Sequence, residues 1–194
     1  IQEKKLPNGR TLHIEYIDHG ESKDKVKCLK LSTGPHGKLE TTHTFTYYGD
    51  DKDSQTTVRD AGGGVTVYIR KNRRIERIYR PSGLIEEFTW NEDGELIKRA
   101  LVSDGSSVLE MIFTYDSSGN ILETATIGDL KGDGTRCCHT KTFQSSHDGW
   151  HLPVEETDGG LAIRFEYFPA TNLLAKRLTF AQGILVCWLL GEHK

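Results

Sequence analysis

Apolar and polar residues alternate along most of this chain with the period of two that is typical of β-strands. Leu109, Met111 and Phe113 fall on one face of such a strand, and Glu110 and Thr114 fall on the other. β-Branched and aromatic residues dominate these runs, which favours pleated, half-buried sheet surfaces. Helical periodicity is cut by glycines or turn clusters wherever it begins, so we expect under about 10% helix.

Short clusters of glycine, asparagine, aspartate and proline separate these runs. The glycines at 83, 94 and 105 are 11 residues apart, which fits one strand plus one turn. Tight turns of this kind connect only antiparallel strands, and glycine adopts their positive φ at little cost. The clusters are Pro7-Asn8-Gly9, Pro35-His36-Gly37, Ala61-Gly62-Gly63, Pro81-Ser82-Gly83, Glu92-Asp93-Gly94, Ser103-Asp104-Gly105, Ser117-Ser118-Gly119, Asp148-Gly149 and Asp158-Gly159-Gly160.

The pattern predicts an all-β fold, an antiparallel meander of successive β-hairpins with twelve or so strands, forming a curved open sheet or a partial shell or barrel. We expect one β region over 1–194, with its clearest repeats in 57–127, exposed loops at 48–57 and 128–135, and an atypical apolar tail at 184–194. The predicted core side chains are Val65, Val67, Phe88, Trp90, Phe113, Tyr115, Ile121, Phe165 and Tyr167.

Two turn clusters share a longer phrase at an offset of 25 residues, from Trp90 to Tyr115. Its form is an aromatic, Thr, an aromatic, Asp or Asn, two turn residues, Gly, a polar residue and then Leu or Ile. The candidate repeat-motif residues are Phe88, Trp90, Asn91, Gly94 and Leu96 in the first copy and Phe113, Tyr115, Asp116, Gly119 and Ile121 in the second.

Each position of the second copy has a physical task. Tyr115 can cover the sheet beside a strand end, and Asp116 can accept hydrogen bonds from the turn backbone. Gly119 supplies a positive φ, and Ile121 is expected to start the return strand on the buried side.

The phrase from Phe113 to Ile121 resembles the tyrosine-aspartate (YD, or Rhs-type) repeat, whose core is Tyr-Asp, two spacers, Gly, one polar residue and an aliphatic residue. Looser copies extend the resemblance over about residues 57 to 180. The chain is therefore similar to a fragment of the β-hairpin repeat region of that family.

The resemblance implies a strip of hairpins that, in full-length members, spirals into a hollow shell around a toxin domain. It further implies a structural segment whose partners are other YD-repeat segments or an enclosed or presented polypeptide, in a secreted or cell-envelope-associated protein. The chain departs from the family in its length, and it lacks the aspartate- and glycine-rich core segment that ends the repeat region.

The charge balance argues against two classes of partner. The chain carries 25 basic and 28 acidic residues, so no strong field would draw it to nucleic acid or anionic lipid. Its longest apolar run, 184–190, is far shorter than the roughly 20 residues of a membrane-spanning helix. We expect neither nucleic acid nor a membrane as partner.

No motif points to catalysis, a cofactor or a metal. Cys137, Cys138 and His139 lie near His147 and His151, but no pair has the spacing that zinc sites prefer. The loop from Asp129 resembles a calcium loop except that Lys131 stands where a carboxylate or amide belongs and Thr140 replaces the bidentate glutamate. The basic run 70–74 is typical of a solvated hairpin tip, and the four cysteines are typical of free thiols.

Three hypotheses follow from the sequence. The leading one is a structural segment of a YD-repeat shell that secludes or presents another polypeptide. The alternative is a stand-alone carbohydrate- or protein-binding β module, which would need exposed Trp and Tyr clustered on one face of the sheet. An enzyme, which we do not expect, would need titratable groups converging in a cleft. Unpaired strand edges further predict edge-to-edge self-association.

Overall fold

A computed structural model describes residues 2–34, 37–146 and 150–190. The described residues form sixteen strands and no helix. The strands are β1 (Glu3–Lys5), β2 (Thr11–Tyr16), β3 (Val26–Ser32), β4 (Leu39–Gly49), β5 (Ser54–Asp60), β6 (Val65–Lys71), β7 (Arg74–Tyr79), β8 (Ile85–Trp90), β9 (Leu96–Ser103), β10 (Ser106–Tyr115), β11 (Ile121–Gly128), β12 (Cys137–Ser145), β13 (Pro153–Asp158), β14 (Leu161–Tyr167), β15 (Leu174–Ala181) and β16 (Ile184–Leu190).

The strands are ordered in the sheet as they are in the chain, from β1 to β16, and the sheet is not closed. Each registered pair of neighbours is antiparallel, because short turns reverse the chain between them. The prediction of an all-β antiparallel meander is confirmed. The expected count of twelve or so strands was too low.

Strand residues occupy much of the segment that was predicted as an exposed loop at 48–57. Strand β4 continues to Gly49 and β5 begins at Ser54, so only 50–53 connect them. The polar residues of that run occupy strand positions because neither strand needs an apolar side chain at every second position to pair through its backbone. Two predicted turns, at Pro35-His36 and Asp148-Gly149, fall on residues outside the described ranges.

The chain divides into two compact units, 1–87 and 88–194, and the boundary falls within β8. The first unit contains β1 to β7 and the second contains β9 to β16. The segment expected as a loop at 128–135 begins one residue later in the structure, since Gly128 ends β11 and is buried. The apolar tail is strand β16 as far as Leu190, and 191–194 lie outside the described ranges.

Very few side chains in the described part of the chain are buried. The buried apolar residues are Cys28, Ile78 and Ala100, and no side chain there is less than 2% exposed. The predicted core residues were wrongly assigned: eight are only half-buried, and Ile121 is exposed at 37%. The alternating pattern predicts which side chains share a face, but it does not predict how deeply they are buried, and most of these side chains are half-buried.

Candidate functional site

One turn geometry recurs five times between residues 6 and 120. In each copy the first residue donates its backbone N–H to the carbonyl of the fifth, and the fourth donates to the carbonyl of the first. The fourth residue is a glycine with φ between 77° and 95°, as a type I turn followed by a left-handed residue requires. The copies are Leu6–Arg10, Asp60–Gly64, Arg80–Leu84, Asn91–Glu95 and Asp116–Asn120.

The repeat-motif residues Asn91 and Asp116 stand at the first position of their turns. The Asp116 carboxylate accepts hydrogen bonds from the backbone N–H groups of Ser118, at 2.8 Å, and Asn120, at 2.9 Å. The Asn120 side chain also donates to it at 2.8 Å, and this bond, followed by the backbone bonds, holds the pKa of Asp116 below its usual range. The amide oxygen of Asn91 accepts from the Glu95 N–H at 2.8 Å. Both side chains thus fix the turn that follows their strand.

The motif tyrosine joins its strand to the start of the preceding strand. The Tyr115 hydroxyl at the end of β10 donates to the carbonyl of Leu96, the first residue of β9, at 2.8 Å. Tyr47, two residues before the end of β4, donates in the same way to Val26, the first residue of β3, at 2.9 Å, and Tyr167 at the end of β14 donates to Pro153 at the start of β13, at 2.8 Å. We call this arrangement the tyrosine bracket.

The three brackets also share their electrostatic environment. Burial raises the pKa of Tyr47, Tyr115 and Tyr167, so each hydroxyl stays protonated and able to donate. The sequence interpretation singled out Tyr115 and Tyr167 but missed Tyr47, which no Asp follows. The sequence signal for such a tyrosine is an aromatic residue near the end of one predicted strand, about 20 residues after the start of the preceding strand.

The other motif residues do not converge on a cleft. Trp90 ends β8, and Leu96 begins β9 and accepts the Tyr115 bond. Phe88 and Phe113 are half-buried strand residues, while Ile121 starts β11 on an exposed position. The contacts of the motif residues in the described part of the chain therefore build hairpins.

The adjacent acids Glu86 and Glu87 point to opposite faces of β8, because Glu86 is registered with Ile78 and Glu87 with Arg77. Glu86 is 6% exposed and accepts a hydrogen bond from the Nε of Arg80 at 2.8 Å. Because the buried Glu86 carboxylate is hydrogen-bonded to the Arg80 guanidinium, its charge is balanced within the protein.

The cysteines and histidines around 137–151 are spread over both faces of β12 and its neighbours. Cys137 and Cys138 are consecutive strand residues, and the Nε2 atom of His139 lies 2.6 Å from a carboxylate oxygen of Asp158. His147 lies outside the described ranges. No group of three or more potential metal ligands is found within 2–34, 37–146 and 150–190.

The loop after β11 is organised around one carboxylate. Asp129 accepts hydrogen bonds from the backbone N–H groups of Gly132, Asp133 and Gly134 at 2.7 to 3.0 Å. The bond from Gly134 is the largest cause that lowers the pKa of Asp129. The carboxylate thus acts as a turn former whose oxygens are already engaged by the protein.

The basic run 70–74 forms the tip of the β6–β7 hairpin. Asn72 and Arg73 are its two loop residues, with φ of 48° and 66°. Their backbone N–H groups donate to the Asp53 carboxylate and the Lys52 carbonyl, both at 2.9 Å. The tip is thereby tied to the β4–β5 turn, although the side chains of Lys71, Asn72 and Arg73 remain exposed.

The two outermost strands of the sheet differ sharply. Strand β1 has three residues, Glu3, Lys4 and Lys5, all exposed and two of them positively charged. Strand β16 has seven residues, and Trp188 is 60% exposed while pairing on one side with Leu178 of β15. Short charged edges resist pairing with other chains, whereas long apolar edges invite it.

The described residues contain no helix that is long and apolar enough to cross a membrane. Exposed aromatic side chains in the first unit lie on strands that are not neighbours, Tyr16 on β2, Tyr48 on β4 and Tyr79 on β7. These three exposed tyrosines therefore do not form one aromatic patch with each other.

Two solved structures share this fold. The crystal structures of TcdB2-TccC3-TEV and TcdB2-TccC3-Cdc42 each superimpose on 92% of this chain with a TM-score of 0.50, at 10% and 9% sequence identity. This chain spans 11% of the length of either one. A porin-like protein from Bacteroides uniformis ATCC 8492 aligns over 91% of both chains at 12% identity, but its TM-score of 0.33 is too low to bear on the fold.

No protein-family profile and no curated protein matches the sequence. At such low identities the likeness to the two TcdB2-TccC3 structures concerns the fold alone.

Proposed function

We propose that this chain is a structural segment of a YD-repeat shell that encloses or presents another polypeptide. One observation carries the proposal. The same five-residue turn and the same tyrosine bracket recur along a sheet whose faces the described residues leave uncovered.

A repeated hairpin device suits a wall better than a pocket. Each bracket and turn fixes only its own hairpin, so copies extend a sheet strand by strand without a central core. The resemblance of Phe113 to Ile121 to the YD repeat and the likeness to TcdB2-TccC3 both support a toxin-complex type of shell. The half-buried aromatic and aliphatic side chains would then be covered by other segments or by the enclosed polypeptide.

Cross-linking of the protein isolated from its native source tests this proposal. A lysine-reactive reagent should join Lys98, Lys141 or Lys176, which lie along the second unit, to peptides of another polypeptide segment, as mass spectrometry would identify. Links confined to this chain, together with a monomeric mass, would count against a shell segment and in favour of an independent module.

A further inference from the structure

The structure contains one continuous groove on the face of the first unit, along strand β5. Two adjoining cavities of about 300 Å³ and about 400 Å³ share Tyr47, Thr56 and Tyr68 as lining residues. These three are registered across β4, β5 and β6 and therefore point to the same side of the sheet. We call this feature the β5 groove.

The floor of the β5 groove is aromatic and aliphatic. Phe45 and Val58 are registered partners in one cavity, and Ile75 lines the other. Tyr47 is held rigid by its bracket to Val26, so one wall of the groove is fixed before anything binds. A preformed apolar floor favours an occupant with apolar side chains.

The two ends of the β5 groove carry opposite charges. At one end Arg70 donates to the Ser54 hydroxyl at 3.1 Å and to the Asp50 backbone carbonyl at 3.3 Å, and the Lys25 ammonium lies 5.2 Å from the centroid of the Tyr47 ring. Neither cation forms an ion pair with a carboxylate in the described part of the chain. The nearby Asp50 carboxylate interacts with Arg70 and offsets part of its charge, so this end of the groove is cationic chiefly through Lys25 and the remaining charge of Arg70.

The other end of the β5 groove is lined by the Asp60 carboxylate opposite His43. One oxygen of Asp60 accepts from the Gly64 N–H at 2.8 Å, and the carboxylate has no basic partner within the described residues. Since β5 runs from Ser54 to Asp60, the charged ends are separated by roughly 20 Å.

We propose that the β5 groove binds an extended segment of a partner polypeptide, about six or seven residues long, that is acidic at one end, apolar in its middle and basic at the other. The length follows from the rise of about 3.3 Å per residue in an extended chain. The charge order follows from Lys25 and Arg70 at one end and Asp60 at the other. This inference rests on the proposed function, because it names the chemistry of the polypeptide that the scaffold would hold.

A polypeptide suits the β5 groove better than a carbohydrate. A sugar ring binds to an open aromatic face, yet the Lys25 ammonium sits over the Tyr47 ring. A cation at one end and an anion at the other match the side chains of a peptide, which carries both signs, better than a neutral or uniformly acidic glycan.

Titration of the intact protein with blocked heptapeptides, followed by chemical-shift changes in NMR spectra, tests the proposal. The peptides have aspartate at one end, valine and phenylalanine in the middle and lysine at the other end, in both chain directions. A peptide in one of the two chain directions should bind more tightly than a peptide with asparagine and glutamine at its ends. Each charged end should raise the affinity about threefold. The shifted signals should be those of Tyr47, Thr56 and Tyr68.

Charge reversal supplies the decisive variant. Arg70→Glu should weaken the matched peptide several-fold and make a peptide with lysine at both ends the preferred ligand. Arg59→Glu is the matched control: Arg59 lies on the same strand but is registered with Thr44 and Val65 on the opposite face, so this variant should keep the original preference. Thr56→Arg should abolish binding by filling the floor, with circular dichroism confirming an intact sheet.

Three results would overturn the β5 groove as a peptide site. They are the absence of shifts with any peptide at millimolar concentration, an affinity that Arg70→Glu and Thr56→Arg leave unchanged, and a preference of the same residues for an acidic oligosaccharide. If the peptides fail while native cross-links to another polypeptide are found, the groove assignment is wrong and the scaffold role stands.

Discussion

The Asp116 hairpin and strand β16 represent two extremes of how this sheet is held. At the first, a glycine with φ of 82°, a carboxylate that binds turn N–H groups and a tyrosine bracket all act on β10 and β11. At the second, a two-residue turn at Gln182 and Gly183 leads into a strand that pairs only with β15 in the described structure and exposes most of its apolar surface.

This comparison distinguishes residues that specify a hairpin from apolar residues that form the surface of an outermost strand. Hairpins are specified locally, by residues within about 20 positions of each other, and they need no core to choose their register. The apolar side chains of β16 pair with those of β15 on one side, but most of their surface remains exposed. A long apolar edge of this kind invites pairing with another strand, which the first prediction tests.

The largest effect is expected from placing charges on β16. We predict that Val186→Lys combined with Trp188→Lys weakens self-association of the purified protein by on the order of 3 kcal/mol, or about a hundredfold, because two apolar side chains no longer become buried at the edge. Light scattering over a micromolar concentration series measures the change.

The matched control places the same two lysines in a turn. Ser117 and Ser118 are exposed, and only the backbone of Ser118 contacts Asp116, so Ser117→Lys with Ser118→Lys adds equal charge away from the edge. Association should persist in that variant. If both double variants dissociate equally, net charge and not the β16 edge controls association.

The second prediction breaks the Asp116 hairpin at its glycine. Gly119→Val should lower the free energy of unfolding by about 2 kcal/mol, because a β-branched residue is strained at positive φ. A Cβ there would lie 3.1 Å from the Glu95 carboxylate, whose flexible end can move, so the strain is in the backbone. Urea denaturation followed by circular dichroism gives the value.

Gly119→Asn separates conformation from bulk, since asparagine tolerates the left-handed region better than valine. Its destabilisation should be clearly smaller than that of Gly119→Val. Equal losses for the two variants would show that side-chain crowding, and not φ, decides the cost at this turn.

The turns and the strand direction could be predicted from the sequence because both are local. Gly94 and Gly119 each mark a turn with positive φ, and period-two alternation places Phe113 and Tyr115 on one face. Burial could not be predicted in the same way. Alternation predicts a shared face whether or not a second layer covers it, so Ile121 was assigned to a core that the described residues do not form.

The site was less accessible to sequence reasoning than the fold. Tyr47, Thr56 and Tyr68 are brought together by the register of three strands, and register depends on bulges and loop lengths that the sequence pattern leaves open. The bracket from Tyr47 to Val26 spans a whole hairpin, so no single motif contains both partners.

The third prediction removes one hydroxyl from the Asp116 hairpin. Tyr115→Phe should cost about 1 kcal/mol at neutral pH, because the Leu96 carbonyl loses its donor while the ring remains. Burial, followed by the nearby Glu95 charge, raises the pKa of Tyr115 above its value in the unfolded chain, so the bracket contributes fully below about pH 10 and is lost as the pH rises through the folded pKa.

Urea denaturation at pH 7 and at increasing pH measures both parts of that prediction. The difference between the wild type and Tyr115→Phe should shrink as the hydroxyl ionises. A difference that stays constant or grows at alkaline pH would contradict a donor role for the hydroxyl. Phe113→Leu, on the same face but without a hydroxyl, should show no such pH dependence.

The fourth prediction has the smallest expected effect and places glycine in the β6–β7 turn, where a non-glycine residue has a positive φ. Arg73 has a φ of 66° in a two-residue turn, whereas the corresponding turns at Asp104-Gly105 and Gln182-Gly183 place glycine at that position. Arg73→Gly should raise the free energy of unfolding by about 0.5 kcal/mol, since relief of the left-handed strain exceeds the added entropy of the unfolded chain. Thermal unfolding at low protein concentration measures this increase.

Arg73→Ala is the control, because alanine keeps the strained conformation and should not raise the free energy of unfolding. If alanine raised the free energy of unfolding as much as glycine does, removal of the positive charge would explain the effect. Local backbone conformation would then no longer explain why the turns at Gly105 and Gly183 have glycine at the left-handed position.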